Sequence, residues 1–303
     1  MSAAACENVY GAPAEDFVGA CGGARQFSPL VPGASRLEDV APGSLTGFAM
    51  FAPPGTTERR RALALAIRAL APGASLIVHA PKAKGGSRLG ADLERLGCAF
   101  QESSRRHNRI CTAQGPGDAA AIAAAIADGE PRFLDGLGLW SQPGVFSWDR
   151  VDPGSALLLE HLPPLNGRGA DFGCGLGVLA RAVLAAPKVA SLTLLDIDRR
   201  AVDMARRNVD DPRAQFVWAD ARAFDLTGLD FVVMNPPFHD GGTEDRALGQ
   251  TFIRRAAGAL RNGGTLWLTA NRHLPYEEVL KPLFRSVTPL AAEKGYKIYR
   301  AQK

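Results

Sequence analysis

From Ser155 to the carboxyl end, short apolar runs alternate with amphipathic stretches of helical spacing, and that alternation leaves few architectures open. The spacing predicts helices over residues 155–162, 178–186, 199–208 and 251–260. Strands are expected at 170–172, 191–196, 215–219, 230–234 and 264–270, with a closing antiparallel pair within 287–299. Apolar strands separated by amphipathic helices imply a mostly parallel sheet covered on both faces. The expected class is α/β, with a doubly wound, Rossmann-like domain at the carboxyl end.

The first 120 residues also have α/β character. A helix is expected over 57–70, a buried strand at 74–80, and then a glycine-rich turn and an amphipathic helix within P81-K-A-K-G-G-S-R-L-G-A-D-L-E-R-L-G97. The turn has two adjacent glycines and no spaced fingerprint, so it makes no convincing cofactor loop. Residues 113–140 are turn-rich around an Ala-rich helix, which belongs either to the connection or to the edge of the first domain. A chain of 303 residues has room for two domains, divided here as 1–130 and 131–303.

Composition excludes several classes. With 46% hydrophobic and 22% charged residues, the chain is neither collagen-like nor disordered. The amino terminus lacks a basic region followed by an apolar core, and no run of 18 apolar residues occurs, so a cytoplasmic protein without membrane contact is expected. Five widely spaced cysteines without a CxxC pair read as free thiols, and the histidines show no ligand spacing, so no metal is expected. The net charge of +4 is uneven: residues 253–303 carry 10 Lys/Arg against 3 Asp/Glu, a surplus able to form part of a phosphate-contacting face.

Chemistry concentrates in four places. D171-F-G-C-G-L-G177 is a glycine-rich turn placed directly after a buried strand and before a helix, where a nucleoside ligand can approach the backbone. It lacks the wider spacing of dinucleotide sites. Asp171 stands two residues before the first glycine, where a carboxylate can hold the ammonium of an amino-acid moiety, a demand specific to S-adenosylmethionine. Asp196 ends the next strand and can accept both ribose hydroxyls, with Asp198 as the alternative. Asp220, after a further strand, is placed to accept from an adenine amino group or else to cap its turn. The expected cofactor set is Asp171, Gly173, Cys174, Gly175, Gly177, Asp196, Ile197, Asp220, Ala221 and Asn235.

The fourth feature, V232-V-M-N-P-P-F-H239, sets the reaction class. Pro236 and Pro237 restrict the backbone and offer no amide donors. The Asn235 side-chain oxygen and the Pro236 carbonyl can both accept from a planar amino group, orienting its nitrogen toward an electrophilic methyl. Phe238 is expected to stack on a planar substrate. His239 either contacts substrate or orients the loop, and Asn271 and Arg272 are expected to line the substrate entrance.

Residues 171–238 resemble class I S-adenosylmethionine-dependent methyltransferases. The stretch P143-G-V-F-S-W-D-R-V-D-P-G-S-A-L-L-L159, N235-P-P-F-H-D-G241, A270-N-R-H-L-P-Y276 and G295-Y-K-I-Y299 are similar, more narrowly, to bacterial small-subunit (16S) ribosomal RNA guanine-N2-methyltransferases. The resemblance implies a monomer acting on 16S rRNA or the small subunit. It also implies an amino-terminal degenerate copy of the same fold that helps hold RNA, with PKAKGG in the place of a cofactor loop, and it places Phe146 and Gly154 near cofactor or base. Competing readings are a large-subunit (23S) guanine-N2-methyltransferase, a protein-glutamine N5-methyltransferase, an adenine-N6 enzyme and a non-catalytic ribosome assembly factor.

Overall fold

A computed structural model describes residues 6–237, 239–240, 243–244 and 246–303. The chain divides into two compact units, Met1–Glu130 and Pro131–Lys303.

The first unit runs β1 (Asn8–Tyr10), α1 (Glu15–Val18), β2 (Arg25–Gln26), β3 (Leu45–Phe51), α2 (Thr56–Ala69), β4 (Leu70–Pro81), α3 (Leu89–Arg95), β5 (Ala99–Arg105), β6 (Asn108–Gln114) and α4 (Ala119–Asp128). The Ala-rich helix thus lies inside this unit, capped by the Asp118 carboxylate on the Ala121 amide. The sheet order is β2-β1-β3-β4-β6-β5, parallel as far as β4 and antiparallel from there to β5.

The second unit contains β7 (Arg132–Leu134), β8 (Leu139–Ser141), α5 (Pro153–His161), β9 (Gly167–Phe172), α6 (Val178–Leu184), β10 (Val189–Asp196), α7 (Arg199–Asn208), β11 (Ala214–Trp218) and β12 (Leu229–Met234). It continues with β13 (His239–Asp240), β14 (Thr243–Glu244), α8 (Arg246–Ala259), β15 (Leu260–Asn271), α9 (Glu277–Leu283), β16 (Ser286–Glu293) and β17 (Tyr296–Gln302). Its seven-stranded sheet has the order β11-β10-β9-β12-β15-β17-β16, with β17 antiparallel to both neighbours. One apolar cluster packs α8 and α9 on one face, around Ile253, Leu268 and Leu280, and another packs α5 and α6 on the other, around Leu158, Val183 and Val233. The doubly wound expectation holds.

The two sheets repeat one plan. β2, β1, β3, β4, β6 and β5 occupy the places of β10, β9, β12, β15, β17 and β16, and among the described residues β11 alone has no counterpart. This equivalence corrects one expectation. The segment after β4, Pro81-Lys82-Ala83-Lys84-Gly85-Gly86, corresponds to the segment after β15, not to a cofactor loop. The cofactor-loop position follows β1 and reads Gly11-Ala12-Pro13-Ala14, without the spaced glycines. After β3 stands Ala52-Pro53-Pro54, matching Asn235-Pro236-Pro237 after β12 with the asparagine gone. The Pro54 carbonyl is taken by the buried Arg59 guanidinium at 2.8 Å. Among the described residues no helix is long and apolar enough to cross a membrane.

Candidate active site

The second sheet reverses its direction of winding between β9 and β12, and such a switch point opens a crevice at the carboxyl ends of the strands. Phe172 and Met234 pair across these two strands, so the glycine loop and Asn235 leave the sheet side by side. Gly173, Gly175 and Gly177 have φ of 77°, 52° and 81°, a region in which a side chain is strained. A Cβ on Gly175 would meet nothing within 4 Å, and one on Gly173 only the Phe252 ring edge at 3.9 Å, so this backbone faces open space. Gly177 differs, since its Cβ would press on Val209 at 3.0 Å, and its absence lets α6 start against α7.

The loop is pinned from β10. The Gly173 and Cys174 amides donate to the Leu195 carbonyl at 2.9 and 3.1 Å. Asp196 accepts from the Gly175 amide at 2.9 Å through one carboxylate oxygen and from the Asp198 amide at 2.9 Å through the other. Each oxygen keeps a lone pair for a ligand hydroxyl. Burial pushes the Asp196 carboxyl up to about 6, against the pull of these amides. Asp198, the alternative ribose acceptor, instead caps α7 and pairs with Arg200 at 2.8 Å.

Asp171 is fully buried, and no described residue gives either of its carboxylate oxygens a well-formed hydrogen bond. Burial, followed by the Asp196 charge, pushes its carboxyl up to about 8, and the Ala180 amide offsets only part of that. An uncompensated buried carboxylate is costly unless a cation comes to it. Burial also raises the Cys174 thiol well above its ordinary range, with Asp196 and Asp171 adding to the effect.

The Asn235 amide nitrogen donates to Asp152 at 2.8 Å and to the Ser155 hydroxyl at 2.9 Å. Asp152 caps α5 through the Ser155 amide at 2.8 Å, and Pro153 occupies the first helical turn. Gly154 is a packing residue: a Cβ there would lie 2.7 Å from the Tyr296 ring and 3.0 Å from the Thr269 hydroxyl. Asn235, Gly173, Cys174, Gly175 and Leu176 line one cavity open to solvent, together with Phe146, Arg150 and Asp152. Phe146 is 58% exposed on its wall, and the chain turns sharply beside it at Ser147, φ 51°.

The other expected residues are outside the lining of this cavity. Asp220 is paired with Arg222 at 2.7 Å and accepts the Arg222 amide at 2.8 Å, the turn-capping alternative. Ala221 is buried in the α8 cluster, and the Ile197 carbonyl accepts from the Trp218 indole at 2.8 Å. Asn271 and Arg272 stand at the end of β15, outside the cavity lining. Phe238 lies outside the described residues, as does the side chain of His239, whose backbone pairs with Glu244. Pro236 is buried.

The basic tail is less available than its count suggests. Arg255, Arg261, Lys294 and Lys297 pair with Asp225, Asp230, Glu160 and Glu277, and Lys303 donates to the Ala257 and Leu260 carbonyls at the end of α8. Arg272, Lys281 and Arg285 remain exposed. Sequence reasoning missed Arg150, Asp152 and Ser155. The helix-start signal Asp152-Pro153-Gly154-Ser155 was legible, but its contact with Asn235 spans 83 residues.

An orphaned buried carboxylate, a glycine cradle open to the cavity and a ribose-competent aspartate suit a cationic, amino-acid-bearing nucleoside. Fold and site together define an S-adenosylmethionine-dependent methyltransferase of the doubly wound class. Residues 136–300 match the model of the methyltransferase small domain. The ribosomal RNA small subunit methyltransferase C of Pseudomonas paraeruginosa is 33% identical over 290 residues, covering 92% of this chain and 86% of the relative. That of Stutzerimonas stutzeri is 32% identical over 308 residues, covering 96% and 92%. The T. thermophilus 16S rRNA N2 methyltransferase, solved in complex with AdoMet and guanosine, aligns with a TM-score of 0.71 and 27% identity, covering 89% of this chain and 76% of that one. The chain belongs to the methyltransferase small domain family and, within it, groups with the ribosomal RNA small subunit methyltransferase C proteins.

Proposed function

We infer that residues 131–303 transfer a methyl group from S-adenosylmethionine to the exocyclic N2 of a guanosine in 16S ribosomal RNA. The observation that carries this reading is the single cavity shared by the Gly173–Leu176 backbone and Asn235. S-adenosylmethionine, when bound, supplies an electrophilic methyl on a sulfonium. Asp171 is assigned to its ammonium and Asp196 to its ribose hydroxyls. The Asn235 oxygen and the Pro236 carbonyl accept the two hydrogens of the guanine amino group. This would hold the nitrogen in line and raise its electron density as its bond to the methyl forms and the methyl–sulfur bond breaks to leave a thioether, one amino hydrogen then leaving to water as a proton. Phe146 offers an aromatic face to an unstacked base.

The first unit kept the strand order but lost both the spaced glycines and the asparagine, which supports a role in positioning RNA. A site assembled from one chain supports a monomer, acting in the cytoplasm on the small subunit. The test is incubation with methyl-labelled S-adenosylmethionine and, separately, naked 16S RNA, intact small subunits and 23S RNA, followed by digestion to nucleosides. N2-methylguanosine at one 16S position is expected. Label on 23S RNA would move the substrate to the large subunit, and cofactor binding without RNA labelling would overturn the RNA assignment.

A further inference from the structure

An asparagine amide can enter a site in two ways, and only one serves a substrate amino group: the oxygen must face the cavity. A 180° flip would present a second pair of donors to a group that is itself a donor. We propose that Asp152 is a positioning residue that fixes this orientation, holding the Asn235 oxygen toward the substrate. The inference rests on the amino-group clamp proposed above.

The geometry carries the assignment. An ionised carboxylate only accepts, so the Asn235 atom 2.8 Å from Asp152 must be the nitrogen. The second amide hydrogen goes to the Ser155 hydroxyl at 2.9 Å. With both hydrogens committed, the oxygen is the only function of Asn235 left for a ligand. Asp152 is in turn held by the Ser155 amide at 2.8 Å, at the start of a helix seated where Gly154 meets the Tyr296 ring. Asp152 and Asn235 line the same cavity, so the contact borders the space where the substrate amino group must sit. The same carboxylate oxygen accepts from both Asn235 and the Ser155 amide, which ties the clamp to the helix end through one atom.

The double duty of Asp152 allows cap and orientation to be separated. Asp152→Ser keeps a good helix cap but is one bond too short to reach Asn235. Asp152→Asn keeps an oxygen able to accept both donors and removes only the charge. Both variants, with Asn235→Ala and the Asp152→Ser/Asn235→Ala double variant, are assayed for kcat and KM toward the RNA, Kd for S-adenosylmethionine and Tm. For Asp152→Ser, kcat falls about 10- to 100-fold, while cofactor Kd and Tm stay near wild type. Asp152→Asn recovers most of that loss, and the double variant is no slower than Asn235→Ala alone. Wild-type kcat in Asp152→Ser, or an Asp152→Asn variant as slow as Asp152→Ser, overturns the proposal. So does loss of kcat only in step with Tm and cofactor affinity, which would make Asp152 a cap and nothing more. If Asn235→Ala itself keeps wild-type kcat, the clamp fails first, and that outcome is distinct from a failure of Asp152 alone.

Discussion

The carboxylate of Asp196 accepts a hydrogen bond from the Gly175 amide at 2.9 Å, tying the tip of β10 to the middle of the glycine loop that follows β9. Parallel pairing of β9 with β10, which sets Phe172 beside Leu195, brings the two strand ends to the same level. One side chain therefore shapes the loop and stands where ribose hydroxyls are expected. Asp196→Ala removes both contributions, and calorimetry should show cofactor affinity reduced by about 30-fold or more, on the order of 2 kcal/mol. Affinity within threefold of wild type would remove Asp196 from the site.

Asp171, assigned above to the cofactor ammonium, should make cofactor binding depend on pH. In the free protein its carboxyl is raised to about 8, so it is mostly protonated at neutral pH, and an ammonium beside it favours the ionised form. Binding then releases a proton below pH 8, and affinity should climb with pH by up to about tenfold per unit before levelling off above 8. The same shift acts on stability with the opposite sign. A folded-state pKa raised above the unfolded carboxylate value gives stability that is complete at low pH and is lost as pH rises through 8. Asp171→Asn should therefore raise Tm of the free protein at pH 9 while weakening cofactor binding and flattening its pH profile. A wild-type profile flat between pH 6 and 8.5 would contradict this.

Phe146 is a large apolar side chain 58% exposed on the cavity wall. Base–aromatic stacking is worth about 1–3 kcal/mol. Phe146→Ala should raise KM for RNA about 5- to 100-fold with unchanged cofactor Kd and Tm. A variant with normal KM would assign the base a different platform.

Gly169 lies on β9 directly across from Phe231 on β12, and a Cβ there would sit 2.0 Å from the Phe231 ring. Gly169→Ala must push that ring out of the sheet-face core, so thermal melting should show a loss of about 1–3 kcal/mol. An unchanged Tm would mean that the ring has room to turn aside.

The first unit shows how far local sequence reaches. The helix expected at 57–70 forms at Thr56–Ala69, and the strand expected at 74–80 lies within Leu70–Pro81, because hydrophobic period and turn residues act over a few positions. The equivalence of Ala52-Pro53-Pro54 with Asn235-Pro236-Pro237 was also written in the chain. It became legible only once the order β2-β1-β3-β4 placed both after corresponding strands.

In the second unit the sequence by itself determined the glycine loop at 173–177, the aspartate ending β10 and the Asn-Pro-Pro turn after β12, since each is a strand end plus the turn chemistry adjoining it. Tertiary structure decided the rest. It spent much of the basic tail on internal pairs and brought Asp152 to Asn235 across 83 residues. Backbone conformation is dictated by near neighbours, whereas the partner of a polar side chain, and the charge it carries when buried, depends on whichever residues the fold carries to within about 3 Å.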